Sequence, residues 1–289
     1  MIVLSSERRG SLTRALRRHP LVFVSLSIYA LFNIFCLLWL ISTSFKGSAE
    51  ILATNPWTLP ESLLWRNYVD AWTYGRMGTY LMNSLVVTTV TTIAVLALGS
   101  LSGYVFARVE FPGRNVLIAV FMAAMMIPPF ALVVPLFDVL AWASLLDSRT
   151  GLILVYVAME LPLVTFILTS FHQTLPKELE EAAAIDGASP FRTFRRVVLP
   201  QTGPALTACG IVVVLRIWNE FIYALTFIKD EQVLTLAVGI FNLSQVADYS
   251  SNWAVLFAGM VISVLPILIV FAIFQRNFTS GLAQGALKL

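Results

Sequence analysis

Six apolar runs dominate the chain, at about 21–44, 80–107, 115–140, 152–172, 204–228 and 253–274. Each approaches or exceeds the roughly 20 residues that an α-helix needs to cross the hydrocarbon core of a bilayer. A polypeptide in lipid must satisfy its backbone internally, and runs of this length do so as helices rather than as barrel strands. The expected fold is therefore an all-α integral membrane protein with about six transmembrane helices. Only 12% of the 289 residues are charged, and the mean hydropathy is +0.83. Soluble domains carry about 25% charged residues, so the chain lacks the polar surface that water requires.

The expected organisation is an N-tail (1–20), a membrane domain (21–276) and a C-tail (277–289). An outer loop spans 46–78 and an inner loop spans 173–203. Arg8, Arg9, Arg14, Arg17 and Arg18 precede the first run, as in a secretory signal. However, the run continues to Phe45 with no small-residue cleavage site, which marks a retained helix. With the N-terminus inside, thirteen Lys and Arg residues fall in inner segments and five (Lys46, Arg66, Arg76, Arg149, Lys229) in outer ones. That bias predicts both termini in the cytoplasm. Trp57, Trp65, Tyr68, Trp72 and Tyr74 make the outer loop suited to the membrane interface.

Other function classes find little support. There is no clustered basic face for nucleic acid. Cys36 and Cys209 sit in apolar runs as packing residues, and His19 and His172 lack the companions of a metal site. No phosphate loop of the form Gly-x-x-x-x-Gly-Lys-Ser/Thr occurs, so the chain holds no nucleotide motor of its own.

Two runs carry further information. The second is rich in small residues, among them Thr88, Thr91, Thr92, Gly99, Ser100 and Gly103, which let neighbouring helices approach closely. The third contains Pro128, Pro129 and Pro135. These remove backbone donors and produce either a simple kink or a break lining a pathway.

The inner loop reads Thr174-Leu-Pro-Lys-Glu-Leu-Glu-Glu181-Ala-Ala-Ala-Ile-Asp186-Gly187-Ala-Ser-Pro-Phe-Arg-Thr-Phe-Arg-Arg-Val-Val-Leu199-Pro200. Thr174 can cap a helix with Pro176 in its first turn, followed by Glu178, Glu180 and Glu181 at the positive end of the dipole. Gly187 supplies a C-terminal cap. Ser189-Pro190 starts a second short, basic helix expected to end before Pro200. Alanines 182–184 keep the first helix slim enough to enter a groove on another protein.

Here a resemblance becomes specific. Glu181-Ala182-Ala183, three residues, Gly187, nine residues, Val197, one residue, Leu199-Pro200 resembles the "EAA" loop of ATP-binding-cassette importer permeases, with Val197 where Ile is usual. The resemblance implies a coupling helix that docks in a cleft of a separate ATPase. Glu181, Ala182, Ala183, Asp186, Gly187, Leu199 and Pro200 would be its contact and turn residues. Trp218-Asn219-Glu220-Phe221 resembles a stretch of maltose-type carbohydrate importers. The tail from Gln275 resembles that of their second, smaller permease, implying ATPase contacts near Gly281 and Gly285; Leu289 replaces a common final Gly.

The resemblance further implies a type I permease bundle in a prokaryotic inner membrane. Its partners would be a second permease, two ATPase subunits that hold the ATP and Mg, and an extracytoplasmic solute-binding protein. The solute would be a sugar or oligosaccharide. An importer for a non-sugar solute, such as a glycerophosphodiester or polyamine, and an ion-driven secondary transporter are the alternatives. Glu160, Arg216 and Glu220 fall inside apolar runs, where a charge costs about 2.5–3.5 kcal/mol on insertion scales. Arg216 and Glu220 stand four apart, compatible with an intrahelical ion pair or with a position beside the solute. The candidate pathway residues are Pro128, Pro129, Arg216, Trp218, Asn219 and Glu220.

Overall fold

The computed structural model describes residues 20–53, 55–250 and 252–286, with side chains through Phe274 apart from Ser250. It contains helices and no strand among the described residues. The helices are α1 (Pro20–Ser44), α2 (Ser48–Ala53), α3 (Arg66–Thr73), α4 (Met77–Arg108), α5 (Arg114–Met126), α6 (Val133–Trp142) and α7 (Arg149–Thr174). They continue with α8 (Glu178–Ile185), α9 (Pro190–Gln201), α10 (Gly203–Trp218), α11 (Ile222–Phe227), α12 (Leu236–Ser250) and α13 (Trp253–Ala286). Four of them, α1, α4, α7 and α13, are long and apolar enough to cross a membrane unbroken. Two bent helix pairs raise the number to six if each is one span: α5 with 129–142, bent by 100°, and α9 with α10, bent by 75°.

The centre of the bundle is the α4–α7 pair. Small residues make it close: Thr88, Thr91, Thr92, Gly99, Ser100 and Gly103 are all buried, and Ser102 Oγ lies 2.8 Å from Thr165 Oγ1. A Cβ added at Gly103 would stand 3.0 Å from the Thr169 backbone nitrogen. The opposite face of α4 carries exposed Val86, Val90, Ile93 and Leu98. Around this pair pack α10, α12 and α13, while α1 leans on α13 with nearly all its apolar side chains exposed. In a membrane these faces meet lipid or another subunit, so their exposure carries no penalty.

The outer loop folds back on the bundle. Asn67 Nδ2 donates to the carbonyls of Ser44 and Lys46 at 2.9 Å each, and Tyr68 Oη lies 2.6 Å from Ser44 Oγ. Lys46 is fully buried and donates to Thr58 Oγ1 at 3.1 Å. Trp57, Trp65, Trp72 and Tyr74 remain exposed, as an interfacial segment requires. Cys209 is buried and Cys36 exposed on α1, both as free thiols. His172 is buried with Nε2 3.2 Å from Thr202 Oγ1; His19 lies outside the described residues.

Candidate functional site

Two places gather the sequence candidates. The first is the α8–α9 hairpin at one end of the bundle. Contrary to expectation, Thr174 does not cap α8. Helix α7 runs through it, and its Oγ1 donates to Phe171 O at 2.7 Å. Leu175 is extended, as a residue before proline prefers, which places Pro176 ahead of α8 rather than in its first turn. Helix α8 starts at Glu178 with three glutamates in its first turn. It ends as the glycine predicts. Gly187 has φ +77°, its N–H donates to Ala184 O at 3.0 Å, and Ala188 N–H donates to Ala183 O at 2.9 Å. This double closure is the Schellman turn.

Ser189 and Pro190 open α9 as expected, but α9 does not stop before Pro200. The turn over Phe194–Val198 widens so that Leu199 N–H reaches Phe194 O, five residues back. A wider turn removes the clash between a proline ring and the carbonyl four residues earlier, so the helix carries on through Pro200 to Gln201.

One residue that the sequence reading left undistinguished fixes this hairpin to the membrane helices. Glu180 Oε1 accepts from Arg108 Nε at 2.6 Å, and Glu180 Oε2 accepts from Tyr104 Oη at 2.9 Å. Arg108 Nη2 also donates to Leu175 O at 2.7 Å, and Tyr104 packs on Phe194 with ring centres 5.0 Å apart. Tyr104 and Arg108, one turn apart at the end of α4, were the available signal. Leu199 packs into the same small cluster, while Pro200 is exposed. The other side of α8, with Glu181, Ala182, Ala184, Asp186 and Gly187, is exposed, and Ile185 stands 87% open.

Replacing Glu180 with Ala strands the Arg108 guanidinium, whose side chain is only 8% exposed. Breaking a buried pair this way costs about 3 kcal/mol. Amide exchange over 178–186 is expected to accelerate at least tenfold, while exchange in the middle of α4 stays slow. Unchanged exchange in α8 would show that the pair does not hold the hairpin.

The second place lies between the broken spans. The prolines of the third span make a true break: Pro128 is extended, and the two halves meet at 100°. The carbonyl of Pro129 accepts from Tyr223 Oη at 2.7 Å. The fifth apolar run, 204–228, is interrupted opposite it. Helix α10 stops at Trp218, and α11 restarts at Ile222. Glu220 Oε1 accepts from the Tyr223 N–H at 2.8 Å; Oε2 accepts from the Ala224 N–H at 3.2 Å and from Tyr156 Oη at 2.5 Å. A carboxylate thus sits on the first amides of a new helix, where the dipole favours it.

Of the two arrangements open to Arg216 and Glu220, the intrahelical pair does not form. Helical geometry ends two residues before Glu220, and Arg216 Nε instead donates across to Glu160 Oε1 on α7 at 2.8 Å. A cavity of about 230 Å³ lies among these groups. Of the sequence candidates, Pro129, Arg216 and Glu220 line it, joined by Glu160, Tyr156 and Tyr223. Trp218 is instead buried against α13, with Nε1 3.3 Å from Ser263 O, and Asn219 Nδ2 turns back to Leu215 O at 2.8 Å. Pro128 contributes the bend but no lining. Tyr156 was missed because a lone tyrosine in an apolar run carries no pattern. Helix α13 runs through Gly281 and Gly285, but contacts of that tail lie outside the described residues.

Comparisons with known proteins agree with this architecture. Residues 96–284 match the family described as binding-protein-dependent transport system inner membrane component. The chain is 40% identical over 265 residues to a diacetylchitobiose uptake system permease protein of Streptomyces coelicolor, covering 91% of this chain and 87% of that protein. It is 34% identical to the arabinooligosaccharides transport system permease protein of Bacillus subtilis, covering 93% and 94%. It is 32% identical to the trehalose transport system permease protein of Mycobacterium tuberculosis, covering 87% and 91%. A crystal structure of a bacterial ABC transporter involved in importing the acidic polysaccharide alginate shares the fold, with TM-score 0.77 at 22% identity over 92% of this chain and 98% of that one. With its matched region spanning both broken spans and the exposed hairpin, this multi-pass membrane protein belongs to the family of binding-protein-dependent transport system inner membrane components.

Proposed function

We propose that the chain is the non-catalytic membrane subunit of an ATP-binding-cassette importer for an oligosaccharide, and that α8 is its coupling helix. The observation that carries this is the exposed face of α8. It is held rigid from behind by Glu180 and closed by the Gly187 turn, yet it presents Ala182, Ala184 and Ile185 with no cover from the rest of the described chain. Apolar groups outside the membrane, rimmed by Glu181 and Asp186, mark a protein-binding surface. Its slimness suits a groove on an ATPase. In the assembly, Glu181 would meet a basic residue of the ATPase, ATP and Mg would reside there, and both termini of this chain would face the cytoplasm, with Gly281 and Gly285 near the same interface. A second permease would complete the pathway, and an extracytoplasmic binding protein would deliver the solute.

The sugar class is supported by three relatives named for diacetylchitobiose, arabinooligosaccharide and trehalose transport. Membership of a binding-protein-dependent family weighs against the ion-driven alternative. The test has two arms. A single cysteine at Ile185 is expected to cross-link to the ATPase in the purified complex, whereas one at exposed Phe130 is not. A ligand screen of the cognate binding protein is expected to return a neutral oligosaccharide. No cross-link from position 185 would remove the coupling role, and a binding protein selective for a non-sugar would remove the carbohydrate assignment.

A further inference from the structure

We propose that the cavity between the two breaks is a solute subsite within this subunit, built for a neutral, hydroxyl-bearing ring and hostile to carboxylate- or sulfonate-bearing solutes. The proposal rests on the carbohydrate reading above and adds to it a place and a charge rule.

The lining holds two carboxylates, Glu160 and Glu220, and one guanidinium, Arg216. Arg216 pairs with Glu160. Among the described residues, Glu220 is met by neutral donors alone, two backbone amides and the Tyr156 hydroxyl. One negative charge is therefore in excess among the three charged groups of the lining. An anionic solute placed there meets repulsion that its hydroxyls do not offset.

The same groups leave hydrogen-bonding capacity unused. Glu160 is 6% exposed, and its Oε2 has no hydrogen-bond partner among the described residues. Buried carboxylate oxygens in that condition are uncommon and point to a missing donor. Arg216 uses Nε alone, and its side chain is 54% exposed, which leaves both terminal nitrogens available. An unmet acceptor beside unmet donors matches adjacent ring hydroxyls, each of which donates and accepts. Phe130, 73% exposed, supplies a ring surface for the apolar side of a sugar, while Tyr156 and Tyr223 line the cavity as buried side chains. At about 230 Å³ the cavity is below the roughly 300–1,000 Å³ of small-molecule pockets, so it takes one ring at a time rather than a whole oligosaccharide. Its lining includes Glu220, in the non-helical stretch between α10 and α11, and Pro129 and Phe130, in the tight turn that follows the break in the third span; transporters place solute sites at such helix breaks.

The test uses the complete purified importer and saturation-transfer NMR, with diacetylchitobiose and digalacturonate as probes. Wild type is expected to transfer saturation to diacetylchitobiose and at least about tenfold less to digalacturonate. Glu160→Gln frees Arg216 from its counter-charge and is expected to shift that ratio at least about tenfold toward digalacturonate. The double variant Glu160→Gln, Arg216→Gln is expected to lose the gain, which distinguishes a charge effect from loosened packing. Equal or stronger contact of wild type with digalacturonate, contact with neither sugar, or an unmoved ratio in Glu160→Gln would overturn the subsite. A sugar-selective binding protein alongside any of these results would leave the carbohydrate assignment standing.

Discussion

Leucine at Gly103 is expected to abolish recovery of folded protein. A Cβ at this position would stand 3.0 Å from the Thr169 nitrogen and 3.1 Å from Leu168 Cβ. The first of these neighbours is backbone and has no rotamer to yield. Overpacking a well-filled interior costs about 1–3 kcal/mol when side chains can adjust. Here α4 and α7 must move apart as rigid bodies, which also unseats Ser102 from Thr165 and α8 from its Arg108 anchor. The measurement is the monodisperse yield after detergent extraction, together with the midpoint of thermal unfolding. Gly203→Ala is the matched control, since a Cβ there meets nothing within 4 Å. If Gly103→Leu melted within a degree or two of wild type, the close approach of α4 and α7 would not be what stabilises the bundle.

Leucine at Gly187 is expected to do the opposite, leaving the subunit intact and disabling it as a transmitter. Nothing lies within 4 Å of a Cβ there, so the folded chain has room for it. The cost within the subunit is torsional, because φ is +77° and a side chain in the left-handed region costs about 1–2 kcal/mol. Such a loss is small beside the packing of the whole bundle and falls on an exposed hairpin. On the proposed docking face, however, the added isobutyl group would sit at the tip that enters the ATPase. Solute moved per ATP hydrolysed should fall at least about tenfold, equivalent to about 1.4 kcal/mol of lost coupling. Membrane insertion and melting should change little. Gly187→Asn accommodates the left-handed backbone while adding bulk, and should therefore recover melting more than coupling. Unchanged stoichiometry in Gly187→Leu would refute docking through this turn.

Much of this architecture was legible before any coordinates. The apolar runs located the four unbroken helices to within a few residues, because lipid imposes a length that composition can display. Gly187 announced its turn, since few other residues adopt φ +77° without strain. Errors arose where a local rule met a tertiary partner. Thr174 is a good capping residue, but α7 runs two residues beyond its apolar run and uses the hydroxyl itself. Pro200 is a good stop signal, but a single widened turn absorbs it. Arg216 and Glu220 have the right spacing for an ion pair, but the helix ends between them and Glu160 competes from another span. Glu180 and Glu181 are adjacent and chemically identical; only the packing of α4 against α8 assigns one inward and the other outward.

The widened turn before Pro200 has a mechanical consequence. Because the helix is not interrupted there, the hairpin runs on through α9 and, over one bend at Thr202, into the 16-residue α10. At 1.5 Å per residue that rod is about 24 Å long, so a tilt of about 10° at its foot sweeps its tip through about 4 Å. The tip bears Arg216. A displacement of that size exceeds the reach of its 2.8 Å bond to Glu160, so on the proposed docking of α8 the stroke of the ATPase and the parting of this ion pair would become one movement.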